Sequence, residues 1–309
     1  RRNASTFFQK DGTPMELRVL KYFLMVAREE NITRAANLLH VTQPTLSRQL
    51  MQLEEELGTK LFHRSNHSIV LTDDGMLLRR RAQEIVSLTE KTEREFLSRD
   101  EELAGEISIG CGETRNMTLI SQQIARFRQA HPLVQFRIFS ATADDTKERI
   151  EKGLIDLGLL LEPVDISRYE FVRMPRKERW GVLVRTDSPL AAREFVTPED
   201  LSEIPLIMAS RETVQSELAS WFGDFYGHLE IASYYTLLLN AANMVRNGVG
   251  TALGFQLDGF AGLSFIPLSP RLETGAVLAW KKEQPFSPAA RHFIDSVKKC
   301  IRDISENAI

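Results

Sequence analysis

The feature that most constrains the fold is a stripe of leucines between Thr42 and Gly58. Four leucines recur there at steps of four, three and four residues, which is the spacing of a helix that buries one face. Thr42 can cap the start of such a helix, Pro44 is tolerated in its first turn, and Gly58 is a common terminator. The leucines that define the buried face are Leu46, Leu50, Leu53 and Leu57.

The other face of this helix is polar and begins at its N-terminus. Short polar groups at a helix start can reach phosphates, while arginine and glutamine can pair with base edges. The alternative interpretation is an ordinary solvated face, which is the usual fate of polar residues on a surface helix. The residues concerned are Gln43, Thr45, Ser47, Arg48 and Gln52.

Two shorter helices precede the leucine helix and a hairpin follows it. Apolar spacing predicts a first helix from Met15, and Asn31 can start a second around Ala35 and Ala36. Segments 60–64 and 69–72 read as two strands joined by a polar tip. Together these elements predict a winged helix-turn-helix over residues 15–72. Residues 1–14 show no apolar periodicity, and we expect an appended segment, disordered or foreign to the natural chain.

A long helix is predicted to link this domain to the rest of the chain, within residues 73–103. A helix of about 25 residues extends about 37 Å, which is more than a small winged helix can cover. We therefore expect a helix of a second subunit to cover its seam, while packing within one subunit is the alternative. The seam consists of Leu78, Ala82, Ile85, Thr89, Thr92 and Phe96.

The remaining residues, 104–309, alternate strand and helix patterns. Segment 107–111 alternates as a strand, and the wholly apolar 157–161 is typical of a buried parallel strand. Thr142 lies at the start of a helical segment with capping-box spacing. Such alternation predicts an α/β region with parallel sheets.

Several of these segments together resemble the LysR-type transcriptional regulators. The N-terminal match runs from Met15 to about Gly75 and is highly specific; weaker matches extend the resemblance over nearly all of residues 15–301. The N-terminal segments are Ala35-Ala36, the run from Thr42 to Leu50, the run from Leu53 to Gly58, and Leu61-Phe62-His63-Arg64. The weaker ones are the runs 127–132, 153–156, 248–250 and 287–291.

The resemblance implies which residues meet double-stranded DNA. On the helix they are Gln43, Pro44, Thr45, Ser47 and Arg48, and Arg64 begins the wing. The wing tip departs from the family, since Asn66 and His67 stand where an arginine is usual. We include His67 among the DNA contacts, although a histidine is mostly uncharged at neutral pH. The alternative is an exposed loop histidine without function.

The resemblance also implies the assembly. Linker helices of the family pair antiparallel into dimers, and effector domains join dimers into tetramers. We therefore expect a homodimer or homotetramer on a pseudo-palindromic operator. The effector domain, residues 104–309, is expected to resemble a periplasmic binding protein with two lobes. Lobe 1 would span about 104–176 and 270–309, and lobe 2 about 177–269.

A small-molecule effector is expected in the cleft between these lobes. Three helix N-termini are predicted to face it, and such ends favour anions, so a small polar metabolite with a carboxylate is expected. The candidate contacts are Thr114, Arg115, Asn116, Thr142, Ser210 and Arg211. By the resemblance, Thr114 contacts the effector, and Phe255 or Gln256 closes the far wall. Alternatively, Thr142 and Ser210 are plain caps, and Glu113, Asp144 and Asp145 already satisfy the helix ends.

Other classes of protein fit the sequence less well. The six histidines show no HExxH spacing and the two cysteines are far apart, so we expect no metal, cofactor or catalytic residue. Cys111 is interpreted as a small buried hydrophobe, with a redox sensor as the alternative. A net charge of −3 requires any DNA-binding surface to be local. We expect a cytoplasmic protein without membrane span or signal peptide. A transport solute-binding protein and an α/β enzyme are the competing interpretations.

Overall fold

The computed structural model describes residues 15–64, 69–97, 103–257 and 259–306, without the side chains of Arg64 and of residues 94–97. The chain divides into two compact units, Arg1–Glu93 and Arg94–Ile309. Within the described ranges, no helix has the length and apolar character needed to cross a membrane.

The first unit is built around the leucine helix. Phe23 of the first helix and Leu46, Leu50 and Leu53 of the third are fully buried in one apolar core. Leu57, which the pattern placed on the same face, is exposed. The elements are α1 (Leu17–Glu29), α2 (Ile32–Leu38), α3 (Gln43–Leu57), β1 (Phe62–Arg64), β2 (Ile69–Leu71) and α4 (Asp73–Leu97).

The predicted helix ends are confirmed. The Asn31 side chain accepts a 2.9 Å hydrogen bond from the Arg34 amide at the start of α2. Thr42 caps α3 by accepting from the Thr45 amide, and Gly58 ends it with a left-handed φ of 68°. Strands β1 and β2 pair antiparallel, with Arg64 opposite Ile69, so the strand pair predicted for the wing is present.

Helix α4 divides its apolar residues between two surfaces, which corrects the predicted seam. Leu78 and Ala82 pack into the core of the winged helix, together with Val86. Ile85 of the seam is exposed, as are Leu77 and Leu88. The spacing of apolar residues in the sequence does not separate the buried stripe from the exposed one, because the two stripes are adjacent on the helix surface.

The second unit contains two sheets and the helices that cover them. It begins with β3 (Gly105–Cys111), α5 (Met117–Ala130), β4 (Val134–Ser140), α6 (Ala143–Glu151), β5 (Leu157–Leu161) and β6 (Tyr169–Arg173). It continues with β7 (Glu178–Arg185), α7 (Pro198–Leu201), β8 (Leu206–Ala209), α8 (Glu212–Phe222), β9 (Ile231–Tyr235), α9 (Leu238–Arg246), β10 (Thr251–Phe255), β11 (Leu263–Pro267) and β12 (Glu273–Thr274). It ends with β13 (Ala276–Lys281) and α10 (Pro288–Glu306).

Each sheet forms one lobe with its own core. Lobe 1 has the strand order β4-β3-β5-β13-β6, and its core includes Phe127, Leu159 and Phe293. Lobe 2 has the order β11-β7-β10-β8-β9, with β12 beside β7, and its core includes Leu218 and Leu253. The chain enters lobe 2 between β6 and β7 and returns to lobe 1 between β12 and β13.

The expectation of parallel sheets holds for only part of each sheet. Strands β4, β3 and β5 pair parallel, as do β10, β8 and β9. Two segments of the chain connect the lobes, and we call them the two crossovers. The strands next to them pair antiparallel: β13 with β5 and β6, and β7 with β10 and β11. A strand that returns from the other lobe has no crossover helix on its own sheet to make it parallel.

Candidate functional site

The N-terminal half of α3 presents the polar residues singled out from the sequence. Gln43, Pro44, Thr45 and Arg48 are exposed and Ser47 is half-buried, while Leu46 between them is fully buried. The hydroxyls of Thr42 and Thr45 lie 2.8 Å apart, which ties the first turn together. The arrangement offers an arginine, a glutamine and hydroxyls on one accessible surface, next to the positive end of a helix.

The wing is described only at its base. The backbone of Arg64 ends β1, and its side chain is outside the described atoms. His67 and Asn66 lie outside the described residues.

A buried carboxylate that the sequence reasoning missed joins α3 to the wing. Glu54 is 3% exposed and accepts hydrogen bonds from the amides of Leu61, at 2.9 Å, and Phe62, at 3.3 Å. The Lys60 ammonium lies 3.1 Å from the same carboxylate. An acidic residue directly beside Leu53, on the leucine face, is the sequence signal that could have identified it.

In the second unit, residues of both lobes line a cavity of about 110 Å³. Of the predicted effector contacts, Thr142, Ser210, Arg211 and Phe255 line it. Its other walls are mostly apolar or aromatic and come from Gly112, Ala141, Ala143, Leu159, Leu161, Trp180, Ala209, Val214, Tyr235, Thr236 and Leu238. Two carboxylates, Glu113 and Glu162, complete the lining.

The aromatic side chains in the cavity wall are Trp180, Tyr235 and Phe255, and two of them form hydrogen bonds with residues that do not line the cavity. The rings of Trp180 and Phe255 lie 4.4 Å apart, and the Trp180 indole donates 2.8 Å to the Thr274 hydroxyl. The Tyr235 hydroxyl donates 2.6 Å to the Leu253 carbonyl. Burial raises the pKa of Tyr235, and the nearby Glu113 carboxylate adds to the rise, so the phenol stays neutral.

The sequence-predicted cluster at 114–116 faces a different partner. The carboxylate of Glu178, only 1% exposed, accepts from the Thr114 hydroxyl and from the Asn116 side-chain amide at 2.7 Å. The Asn116 and Arg115 backbone amides also donate to Glu178, at 3.3 and 3.4 Å. Thr114, Arg115 and Asn116 are not among the residues that line the cavity, and neither is Gln256.

Arg211 is the cation in the cavity wall. Its guanidinium makes two bonds to Asp144 of α6, at 3.0 and 3.4 Å, and a third at 3.4 Å to the Leu161 carbonyl. Thr142 caps α6 by accepting from the Asp145 amide at 3.2 Å, and its hydroxyl donates 2.7 Å to the Asp145 carboxylate. The sequence suggested that acidic residues satisfy these helix ends. Asp145 does so as part of the α6 cap, whereas Asp144 binds Arg211 of lobe 2.

Glu113 binds the N-terminus of α9 in the opposite lobe. Its carboxylate accepts from the amides of Leu238 and, at 3.4 Å, Leu239. The cap residue of α9, Leu237, has no side-chain oxygen to satisfy these amides. The sequence suggested a capping role for Glu113 near its own loop, and the helix it caps lies 125 residues away.

Neither cysteine is among the residues that line this cavity. Cys111 is 5% exposed, and burial raises the pKa of its thiol. Cys300 is half-buried and accepts 3.0 Å from the Gln123 side-chain amide. Among the described residues, no three His, Cys, Asp or Glu side chains converge as a metal site would require.

Comparison with known families matches both units. Residues 17–76 match the model described as "Bacterial regulatory helix-turn-helix protein, lysR family". Residues 100–300 match the model described as "LysR substrate binding domain".

Individual relatives align over most of the chain. The Hca operon transcriptional activator HcaR of Escherichia coli is 29% identical over 303 residues, covering 94% of this chain and all of that one. The transcriptional regulator IlvY of the same species is 32% identical over 210 residues, covering 67% of this chain and 70% of that one.

Solved structures share the fold. The full-length regulator CbnR in complex with its target DNA superposes with a TM-score of 0.74 at 22% identity, covering 92% of this chain and 99% of that one. HinK of Pseudomonas aeruginosa superposes with a TM-score of 0.54 at 27% identity, covering 93% and 98%.

Proposed function

The chain belongs to the LysR family of transcriptional regulators, and we propose from this membership how its own residues bind DNA and an effector. It is a DNA-binding regulator with a helix-turn-helix domain and a substrate-binding domain. The observation that carries the proposal is the division of α3, whose leucines are buried while Gln43, Thr45 and Arg48 are exposed.

For DNA, α3 is the recognition helix and enters the major groove. Arg48 reads a guanine through its two acceptors, and Gln43, Pro44, Thr45 and Ser47 contact bases and phosphates from the helix start. Arg64 and His67 contact the backbone or minor groove from the wing. Glu54 supports this arrangement, because it ties the base of the wing to α3 through the Leu61 and Phe62 amides.

For assembly, the exposed stripe of Leu77, Ile85 and Leu88 on α4 pairs with the same stripe of a second subunit. A group of apolar side chains exposed together on one face of a helix is typical of a surface that binds another protein. A two-fold dimer built on α4 would bind a pseudo-palindromic operator, and effector domains would join dimers into a tetramer.

For the effector, the lobe cavity binds a small metabolite with an apolar body and a carboxylate. Arg211 would hold the carboxylate with charge-assisted hydrogen bonds, assisted by the hydroxyls of Ser210 and Thr142. Trp180 and Phe255 would cover the apolar part. Binding would shift the orientation of the lobes only as far as the effector prefers one arrangement over another.

We place this activity in the cytoplasm, where the DNA is, and propose that the protein acts by binding alone. The relatives named above are transcriptional regulators rather than enzymes, which supports that proposal. The helix-turn-helix unit favours a regulator over a transport solute-binding protein, which needs no such domain.

Binding of genomic DNA fragments tests the proposal. Fluorescence anisotropy would compare fragments that flank the protein's own gene with random DNA of equal length, at fixed salt. Specific sites typically bind about 10³-fold or more tighter than random DNA. We expect at least one fragment to do so; equal affinity for every fragment would refute the proposal. A thermal-shift screen of small carboxylates, each against its neutral amide, tests the effector part.

A further inference from the structure

Two carboxylates of lobe 1 cross the cavity and bind lobe 2. Glu113, just after β3, accepts from the first amides of α9. Asp144, in the first turn of α6, binds the guanidinium of Arg211. We call these two contacts the interlobe latch.

Both contacts belong to the cavity rather than to a remote face. Glu113 and Arg211 line it, and so does Leu238, whose amide Glu113 binds. Two of the donor groups that lobe 2 offers to an anion here, Arg211 and the start of α9, therefore already hold carboxylates of the chain itself.

We propose that the interlobe latch is an autoinhibitory contact, in which Glu113 and Asp144 occupy the anion-binding groups of lobe 2 until an anionic effector displaces them. The inference rests on the proposed function of the cavity and goes beyond it in naming what the effector must replace. Displacement breaks these two contacts and leaves the 3.4 Å hydrogen bond from Arg211 to the Leu161 carbonyl between the lobes here, so that the lobes can move about the two segments that connect them.

The exposure of Asp144 and Arg211 favours replacement of the Asp144 carboxylate by an effector carboxylate at Arg211. The side chain of Asp144 is 63% exposed, whereas that of Arg211 is only 15% exposed. Release of Asp144 returns a carboxylate to water at small cost, because it is already largely solvated. A shielded guanidinium without a counterion is unfavourable, so Arg211 retains an anion, and an effector carboxylate can be that anion.

The charges around the cavity require Glu113 to move when an anion binds. Glu162 also lines the cavity and is paired with Arg173 at 2.5 Å within lobe 1. With Glu113 in place, an incoming anion would face two carboxylates and one guanidinium that is already paired. Departure of Glu113 removes one of these charges and exposes the α9 amides.

The latch is tested by measuring the separation of the lobes in the full-length protein. Spin labels at exposed positions of each lobe, Ser121 and Ser220, report a distance distribution by double electron–electron resonance. The native cysteines are replaced by alanine in all samples. We expect a narrow distribution for the parent and a shifted or broadened one for the double variant Glu113→Gln, Asp144→Asn.

Glu162→Gln is the matched control, because it removes a carboxylate from the same cavity that pairs within lobe 1. Its distribution should match that of the parent. A double variant whose distribution superposes on the parent would overturn the latch. This readout involves no DNA, so a failure of the latch is distinct from a failure of DNA binding.

Competition is tested with propionate and its neutral match, propionamide, by isothermal titration calorimetry. If Glu113 competes with an anion, Glu113→Gln should bind propionate about tenfold more tightly than the parent, the effect of one charge-assisted hydrogen bond. Affinity for propionamide should not change. Propionate binding that is no tighter in Glu113→Gln than in the parent would contradict displacement.

Discussion

The side-chain amide of Asn116 donates a 2.7 Å hydrogen bond to the carboxylate of Glu178, at the first residue of the strand that enters lobe 2. The same carboxylate accepts from the Thr114 hydroxyl and the Asn116 backbone amide. Glu178 thereby supplies the negative charge at the start of α5. This end of α5 is satisfied within the protein, at the crossover between the lobes.

Glu178→Gln should destabilise the effector domain by about 1–3 kcal/mol, the usual cost of leaving buried polar groups unsatisfied. The glutamine keeps one acceptor oxygen, but its amide nitrogen faces groups that are themselves donors. Urea unfolding followed by circular dichroism measures the loss. Glu194→Gln, a carboxylate exposed on lobe 2, is the control and should be neutral. Equal stability of the two variants would mean that the Glu178 bonds contribute nothing net.

Features set by chain neighbours could be predicted from the sequence. The caps at Asn31 and Thr42 and the stop at Gly58 each depend on residues within one or two helical turns. The α/β class and the winged helix-turn-helix follow from periodicity in the same way.

Partners distant in sequence could not be predicted. Thr114 and Glu178 are separated by 64 residues, and Glu113 and Leu238 by 125. A spacing pattern shows that a carboxylate or a helix start is present, but not which ones meet. The same limit explains the seam of α4, where Leu78 and Ile85 share a period, but Leu78 packs into the winged-helix core and Ile85 is exposed.

Arg48→Ala should weaken binding to the specific site by about 1–3 kcal/mol and relax the preference at one base pair, as expected for loss of a bidentate guanine contact. Affinity for random DNA should fall less. Anisotropy titrations on the operator and on single-base variants measure both effects. Arg28→Ala, an exposed arginine of α1, is the matched control. Unchanged affinity for both kinds of DNA would show that α3 is not the recognition helix.

Arg64→Ala should weaken binding to all sequences alike, because we propose that Arg64 contacts the DNA backbone or minor groove from the wing rather than base edges in the major groove. The slope of log K against log salt should fall by about one unit, the release of one counterion. Titrations at several salt concentrations give the slope. Arg64→Lys keeps the charge and should restore it; a loss confined to one sequence would assign Arg64 to base readout.

Ile85→Asp should dissociate the dimer, because it places an unpaired carboxylate in the apolar stripe that we assign to the α4 interface. Ile85 is 41% exposed within one chain, so the variant should still fold. Sedimentation velocity at micromolar concentration measures the change. Gln83→Asp adds the same charge on another face of α4 and should leave the dimer intact. A fully dimeric Ile85→Asp protein would place the interface elsewhere.

Cys111 should resist thiol reagents in the native protein. Burial raises the pKa of its thiol, so the reactive thiolate is scarcer at pH 7–8 than for an ordinary cysteine, and its share grows only as the pH approaches the raised value. With a Cys300→Ala variant, a chromogenic disulfide reagent should label Cys111 far more slowly than free cysteine, and urea should remove the difference. The reciprocal variant, Cys111→Ala, reports the half-buried Cys300. Labelling of native Cys111 at the rate of free cysteine would contradict its assignment as a packed hydrophobe and would support the redox-sensor alternative.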